Sequence, residues 1–320
     1  MHAPRHSERP RRGRIPRLTG ESLAARPEIP ERLRRRFLFL FAALAAILAC
    51  RAESRAVRSG TSRVPRRVVS LAPNLTEIVF ALGAGGSLVG VSEYSDYPPA
   101  ARAIPRVGGL EVSAEKVASL RPDLVLATRE GNARGPVTAL AAAGLPVLVL
   151  PTGSLDAVLE SIRRGGEALG RREQADRLAD SLSRRRAAVR ERVAGKRRPK
   201  TLLLVWPEPP QAAGGGTFLD EVLSDAGADN LMKARPGWPV ISAEYLATAP
   251  VEALVLPVSP ATRPAFERAL SAGPLSRGSI RQARLLWMDD AVLTRPGPRV
   301  FGALDELASA LHRADVAGTP

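Results

Sequence analysis

Two stretches of the chain, 129 residues apart, follow one local plan. Ser113-Ala114-Glu115-Lys116-Val117-Ala118-Ser119-Leu120 runs into Pro122 and the apolar Leu124-Val125-Leu126. Ser242-Ala243-Glu244-Tyr245-Leu246-Ala247-Thr248-Ala249 runs into Pro250 and Leu254-Val255-Leu256. Each opens with a serine able to cap a helix and a glutamate in the first turn, where the helix dipole favours an anion. Each short amphipathic helix is stopped by proline and followed by an apolar strand. A period this long marks a duplicated lobe, because solenoid repeats run about 20–50 residues. The expected fold is therefore two similar α/β lobes.

The surrounding pattern agrees. Short apolar runs at 68–71, 88–91, 124–127 and 147–150 alternate with helical stretches in the first half. Asn74 is placed to cap one helix, with Glu77 three positions on as its capping-box partner. Leu75, Ile78, Val79 and Leu82 share its apolar face, and Gly83 closes it. In the second half, strands are expected at 202–206, 254–256 and 285–288, with helices at 218–226, after Pro264 and at 300–312. Alternation of this kind builds parallel sheets. Residues 154–198 lack proline and space Val158, Ile162, Leu169, Leu178, Leu182 and Val189 helically. They predict a single long helix between the lobes, with Gly165-Gly166 or Gly170 as points of fracture and a charged, solvated face.

Net charge +15 suggests a nucleic-acid binder until it is located. Residues 1–67 carry net +12 and residues 68–320 only +3. Arg34-Arg35-Arg36 precede an uncharged run of 13 residues, Phe37 to Ala49, which ends at Cys50. That run is short for about 30 Å of hydrocarbon and has the build of a signal peptide. Ile47-Leu48-Ala49-Cys50 resembles a bacterial lipobox, which implies lipidation of Cys50 after cleavage. The expected organisation is a signal peptide over 1–49, a lipidated tether over 50–66, an N-terminal lobe over 67–153, the connecting helix over 154–198 and a C-terminal lobe over 199–315. The chain is expected on the periplasmic or cell-surface side of a membrane, held by its lipid, with no nucleic-acid partner.

Catalytic equipment is sparse. The histidines are His2, His6 and His312, and Cys50 is the sole cysteine. Neither a Ser-His-Asp triad nor a zinc site of the usual kind can be assembled inside the lobes, so no enzyme, metal or resident cofactor is expected. The glycines at 83, 85, 86 and 90 follow a helix instead of opening one, unlike a dinucleotide fingerprint. Gly214-Gly215-Gly216-Thr217 precedes a helix and reads as a flexible turn.

Several segments resemble one family. Arg67-Val68-Val69-Ser70-Leu71-Ala72-Pro73-Asn74-Leu75-Thr76-Glu77 and Gly90-Val91-Ser92-Glu93-Tyr94-Ser95-Asp96-Tyr97-Pro98-Pro99 carry the strongest likeness. Pro105-Arg106-Val107-Gly108-Gly109, Arg121-Pro122-Asp123-Leu124, Trp238-Pro239-Val240-Ile241-Ser242 and Arg295-Pro296-Gly297-Pro298-Arg299 extend it over most of residues 66–312. Together they are similar to periplasmic substrate-binding proteins of ABC importers for cobalamin, ferric siderophores and haem, and most of all to the cobalamin-binding members. The resemblance implies the class III architecture: two Rossmann-like lobes, one rigid helical connector and a ligand cleft between them. It implies a monomer that captures cobalamin or a related corrinoid, or else haem or a ferric siderophore, and delivers it to an ABC permease dimer with its ATPase subunits. It marks Tyr94, Trp206, Trp238, Asp290 and Arg295 as ligand contacts, and Glu115 and Glu244 as the pair that docks on the permease. The chain departs from the cobalamin pattern at Leu110 and Thr128, where tryptophan would supply stacking surfaces.

Overall fold

The apolar runs become strands because parallel pairing buries both of their faces. The structure, a computed structural model, describes residues 64–109, 111–276 and 278–313. In the N-terminal lobe these strands are β1 (Val68–Ser70), β2 (Leu88–Val91), β3 (Leu124–Thr128) and β4 (Val147–Leu150). They pair in the order β2-β1-β3-β4, all parallel. Side chains alternate between the two faces. Val68, Leu124 and Leu126 pack with α1 (Pro73–Ala81), while Val69, Val125 and Ala127 pack with α2 (Ala114–Ser119) and α3 (Arg134–Ala142).

The C-terminal lobe repeats the plan. Strands β5 (Lys200–Pro207), β7 (Asp229–Asn230), β8 (Ala253–Val258) and β9 (Arg284–Asp289) pair in parallel as β7-β5-β8-β9. Taken in chain order within each lobe, the four parallel strands occupy the same relative places in both sheets. The duplication read from the serine-capped helices is thus also a duplication of topology. β6 (Pro210–Ala212) adds an antiparallel strand beside the carboxyl end of β5. Helices α7 (Ala243–Thr248) and α8 (Arg263–Ser271) cover one face, and α6 (Phe218–Asp225) and α10 (Val300–Leu311) the other. The second of these cores is continuous with the β1–α1 core of the first lobe through the connector. The fold is the expected pair of Rossmann-like lobes.

The connector itself differs from the expected single helix. It is a hairpin of α4 (Leu155–Ala168) and α5 (Arg172–Val193), broken where Gly170 takes φ +64°. The left-handed conformation costs glycine little and ends the helix. Gly166 then lets the second helix close in, since a Cβ there would lie 2.2 Å from the Cβ of Ala175. The charges of this hairpin form the expected solvated face, and many of them are paired on it. Arg163 pairs with Asp180 across the hairpin at 2.7 Å, and Arg186 with Asp156 at 2.8 Å. Arg186 also meets Asp225 on α6 at 2.5 Å, while Arg192 and Arg185 both grip Asp305 on α10, at 2.6 and 3.2 Å. Much of the basic surface of α5 thus ties the connector to the second lobe.

A second correction concerns α1. The helix starts at Pro73 with Ala72 as its N-cap and no side-chain cap. Asn74 and Glu77 are both buried, so neither serves the capping box. The signal-peptide and Cys50 expectations, the tether up to residue 63 and the Leu110 departure lie outside the described residues. Among the described residues no helix is long and apolar enough to cross a membrane.

Candidate functional site

The carboxyl ends of β1, β2 and β9 meet where the two lobes touch. Asn74, at the start of α1, donates through Nδ2 to the carbonyl of Pro296 at 3.0 Å. Arg299 donates through Nε to Glu77 at 3.0 Å and through a terminal nitrogen to the other carboxylate oxygen at 2.5 Å. Its guanidinium lies 4.0 Å above the ring of Tyr97. Arg295 donates to Asp96 at 2.5 Å. Gly297 is buried against this junction, and a Cβ there would lie 3.3 Å from the Cβ of Asn74. Two ion pairs, a hydrogen bond and a cation–π contact therefore bridge the lobes.

The two carboxylates sit in different environments. Burial pushes the Glu77 carboxyl above its usual range despite Arg299 opposing it, and the Glu77 hydrogen bond in turn raises Arg299. Burial also works to raise Asp96, but the hydrogen bond and charge of Arg295 outweigh it and hold that carboxyl below the usual range. The contribution of Asp96 to stability is thus present above the ordinary aspartate value. It is lost as pH falls through the lowered one.

Exposed aromatic side chains also stand near strand ends of both lobes. Tyr94 follows β2 and is 53% exposed. A Cβ on Gly109 would fall 3.1 Å from its ring, so glycine lets the ring lie on the backbone. Trp206, near the carboxyl end of β5, is 50% exposed, and its Nε1 donates to the carbonyl of Glu208. In register, Trp206 faces Gln211 and Gln211 faces Val240, so the three side chains share one side of an antiparallel patch. Gln211 donates through Nε2 to the carbonyl of Trp238 at 3.0 Å. Trp238 and Val240 are also exposed, so large apolar side chains flank Gln211 on this side. Exposed aromatic patches of this kind mark contact surfaces.

The structure thus links Trp206 and Trp238 through Gln211 and places Tyr94 two residues from Asp96. It holds Arg295 in an ion pair with Asp96. Asp290 lies in the first turn of α9 (Asp290–Leu293), behind the Asp289 cap. It joins none of the junction contacts above. Sequence reasoning missed Glu77, Asp96, Tyr97 and Arg299. The available signal was a carboxylate on the apolar side of α1 and a second arginine four residues after Arg295. Thr128 is buried, and Asn132 accepts hydrogen bonds from both its backbone N–H and its hydroxyl. It therefore lends the junction no surface.

Glu115 and Glu244 are exposed in the first turns of α2 and α7. Ser113 and Ser242 cap these helices, accepting from Lys116 N at 3.3 Å and Tyr245 N at 3.1 Å. Neither glutamate joins an ion pair among the described residues. The backbone N–H groups of Gly214 and Gly215 are turned to the carbonyls of Gly237 and Arg235, consistent with a turn. A polar hollow lined by Arg197, Glu252, Arg284 and His312 lies at the amino ends of β5, β8 and β9, away from the tryptophans. Among the described residues no group of three or more His, Cys, Asp or Glu side chains is arranged to hold a metal ion.

Known proteins share this fold. A family model described as "Periplasmic binding protein" matches residues 68–271. The vitamin B12-binding protein of Yersinia pestis (strain Pestoides F) is 32% identical over 197 residues, covering 61% of this chain and 70% of the relative. Among solved structures, the periplasmic haem-binding protein of Roseiflexus sp. RS-1 in apo form superimposes with a TM-score of 0.70 at 30% identity. It covers 77% of this chain and 98% of that one. The periplasmic vitamin B12 binding protein of Vibrio cholerae superimposes with a TM-score of 0.69 at 26% identity, covering 78% and 97%. With its two repeated lobes joined by a helical connector, this chain belongs to the periplasmic binding protein family.

Proposed function

We propose that the chain is the extracytoplasmic substrate-binding component of an ABC importer. It captures cobalamin or a related corrinoid at the junction of its lobes and delivers it to the permease without covalent chemistry. The observation that carries the reading is the paired exposure of Trp206 and Trp238 beside Val240, at the carboxyl end of the second sheet. A broad, partly apolar ring system with a polar periphery fits such a surface better than a small polar solute. The vitamin B12-binding relatives support the corrinoid. The haem-binding structures of the same fold keep haem as the second reading; a ferric siderophore is the third.

Glu115 and Glu244 dock the two lobes on arginine-bearing surfaces of the permease. Their exposure, their lack of ion pairs among the described residues and their equivalent places in the duplicated lobes support this role. Charge-assisted pairing of this kind sets register and encounter rate. Cys50 carries the lipid that holds the mature monomer at the membrane through the tether, and recovery of the mature chain in the membrane fraction checks that anchoring. In cells that depend on this importer, the double reversal Glu115→Arg and Glu244→Arg is expected to abolish cyanocobalamin uptake while the purified variant binds as before. Normal uptake by the double variant overturns the docking role.

A further inference from the structure

We infer that the Asp96–Arg295 pair makes the junction selective for uncharged, amide-bearing ligands over otherwise similar carboxylate-bearing ones. The inference rests on the corrinoid reading above and specifies what the site recognises.

The arginines at the junction are each engaged by the protein. Arg295 is 20% exposed at its side chain and is engaged by Asp96, whose own side chain is 48% exposed. A ligand arriving there meets the open edge of a carboxylate, with the cation already taken. Arg299 is held by Glu77, which is 3% exposed at its side chain, and its face is covered by Tyr97. On the loop after β2, Arg106 is turned to the carbonyls of Ser92 and Ser95, at 3.0 and 2.6 Å.

A primary amide suits this arrangement. Its N–H can donate to Asp96 and its carbonyl can accept from Arg295 without separating the pair. A ligand carboxylate can reach Arg295 only by displacing Asp96, and the two like charges are then left side by side. In a half-buried setting that repulsion is worth about a factor of ten in affinity. Corrinoids carry side-chain amides around the ring, whereas haem carries two carboxylates, so the pair bears directly on which ring system is taken up.

The test uses cyanocobalamin and its monocarboxylic acid, in which one side-chain amide is hydrolysed. The two probes share ring and size and differ by one charge. Calorimetric affinities are measured for the unaltered protein, Asp96→Asn and Arg295→Gln, with thermal midpoints confirming that each variant is folded. The unaltered protein is expected to prefer the amide form about tenfold. Asp96→Asn is expected to erase or reverse that preference, and Arg295→Gln to widen it. A strut with no recognition role changes both affinities by the same factor, so an unmoved ratio in both folded variants overturns the inference while leaving the corrinoid reading intact. Haemin binding with no cyanocobalamin binding by the unaltered protein overturns the corrinoid reading and this selectivity together.

Discussion

Glu77 places a carboxylate on the buried side of α1, and one guanidinium offsets part of the cost. Desolvating such a charge costs several kcal/mol unless a partner and further hydrogen bonds compensate it, and here Arg299 supplies both contacts to the two oxygens. Removing the carboxylate strands Arg299 at the lobe junction. Glu77→Ala is expected to lower stability by about 3 kcal/mol, measured as a shift of the urea midpoint at unchanged m. A change below about 0.5 kcal/mol contradicts the assigned role. This residue also shows where sequence reasoning falls short. Asn74 and Glu77 stand three apart, which is the spacing of a capping box and equally that of two side chains on one helix face. Only the tertiary partners Pro296 and Arg299, more than two hundred residues away, decide between the two. Ser113 and Ser242 were legible because their partners are the local N–H groups of Lys116 and Tyr245.

At the scale of elements, the connector shows how glycine sets helix packing. Gly166 sits inside α4, where an exposed glycine-to-alanine change would be expected to stabilise by up to about 1 kcal/mol. The close approach of Ala175 reverses the sign, because the added methyl meets another Cβ at 2.2 Å and the carbonyl of Arg171 at 3.1 Å. Gly166→Ala is therefore expected to destabilise by about 1–3 kcal/mol and to lower the thermal midpoint. A raised midpoint contradicts the packing described. Composition gave both glycine sites as places where the helix could fracture, but not which one breaks and which one permits the contact. Periodicity located the strands because their burial is local to the pleat. It could not show that Arg185 and Arg192 reach Asp305, since both acceptor and donor look like ordinary surface charges in sequence.

Across the whole molecule, one apolar core runs from β1 through the connector to α10, and two ion pairs close the junction above it. The lobes are therefore coupled both by core packing and by charge. The duplicated strand order explains why Glu115 and Glu244 recur at equivalent places, and this symmetry was legible from two short stretches of sequence. The exposure of Trp206 and Trp238 was legible too, because each stands beside a proline, Trp206 near the end of its strand and Trp238 in a loop. Arg295 was named as well, but its pairing was not, because Asp96 and Arg295 acquire their relation only when strand ends from different lobes are brought together. Function then follows from the site and not from the fold, which hosts several cargoes.

The most direct measurement is a calorimetric titration of cyanocobalamin into the unaltered protein and into the double variant Trp206→Ala, Trp238→Ala. The account predicts one ligand per chain for the unaltered protein and binding at least about tenfold weaker in the variant, with the thermal midpoint unchanged because both side chains are exposed. No binding to the unaltered protein, or equal affinity in the folded variant, would contradict it.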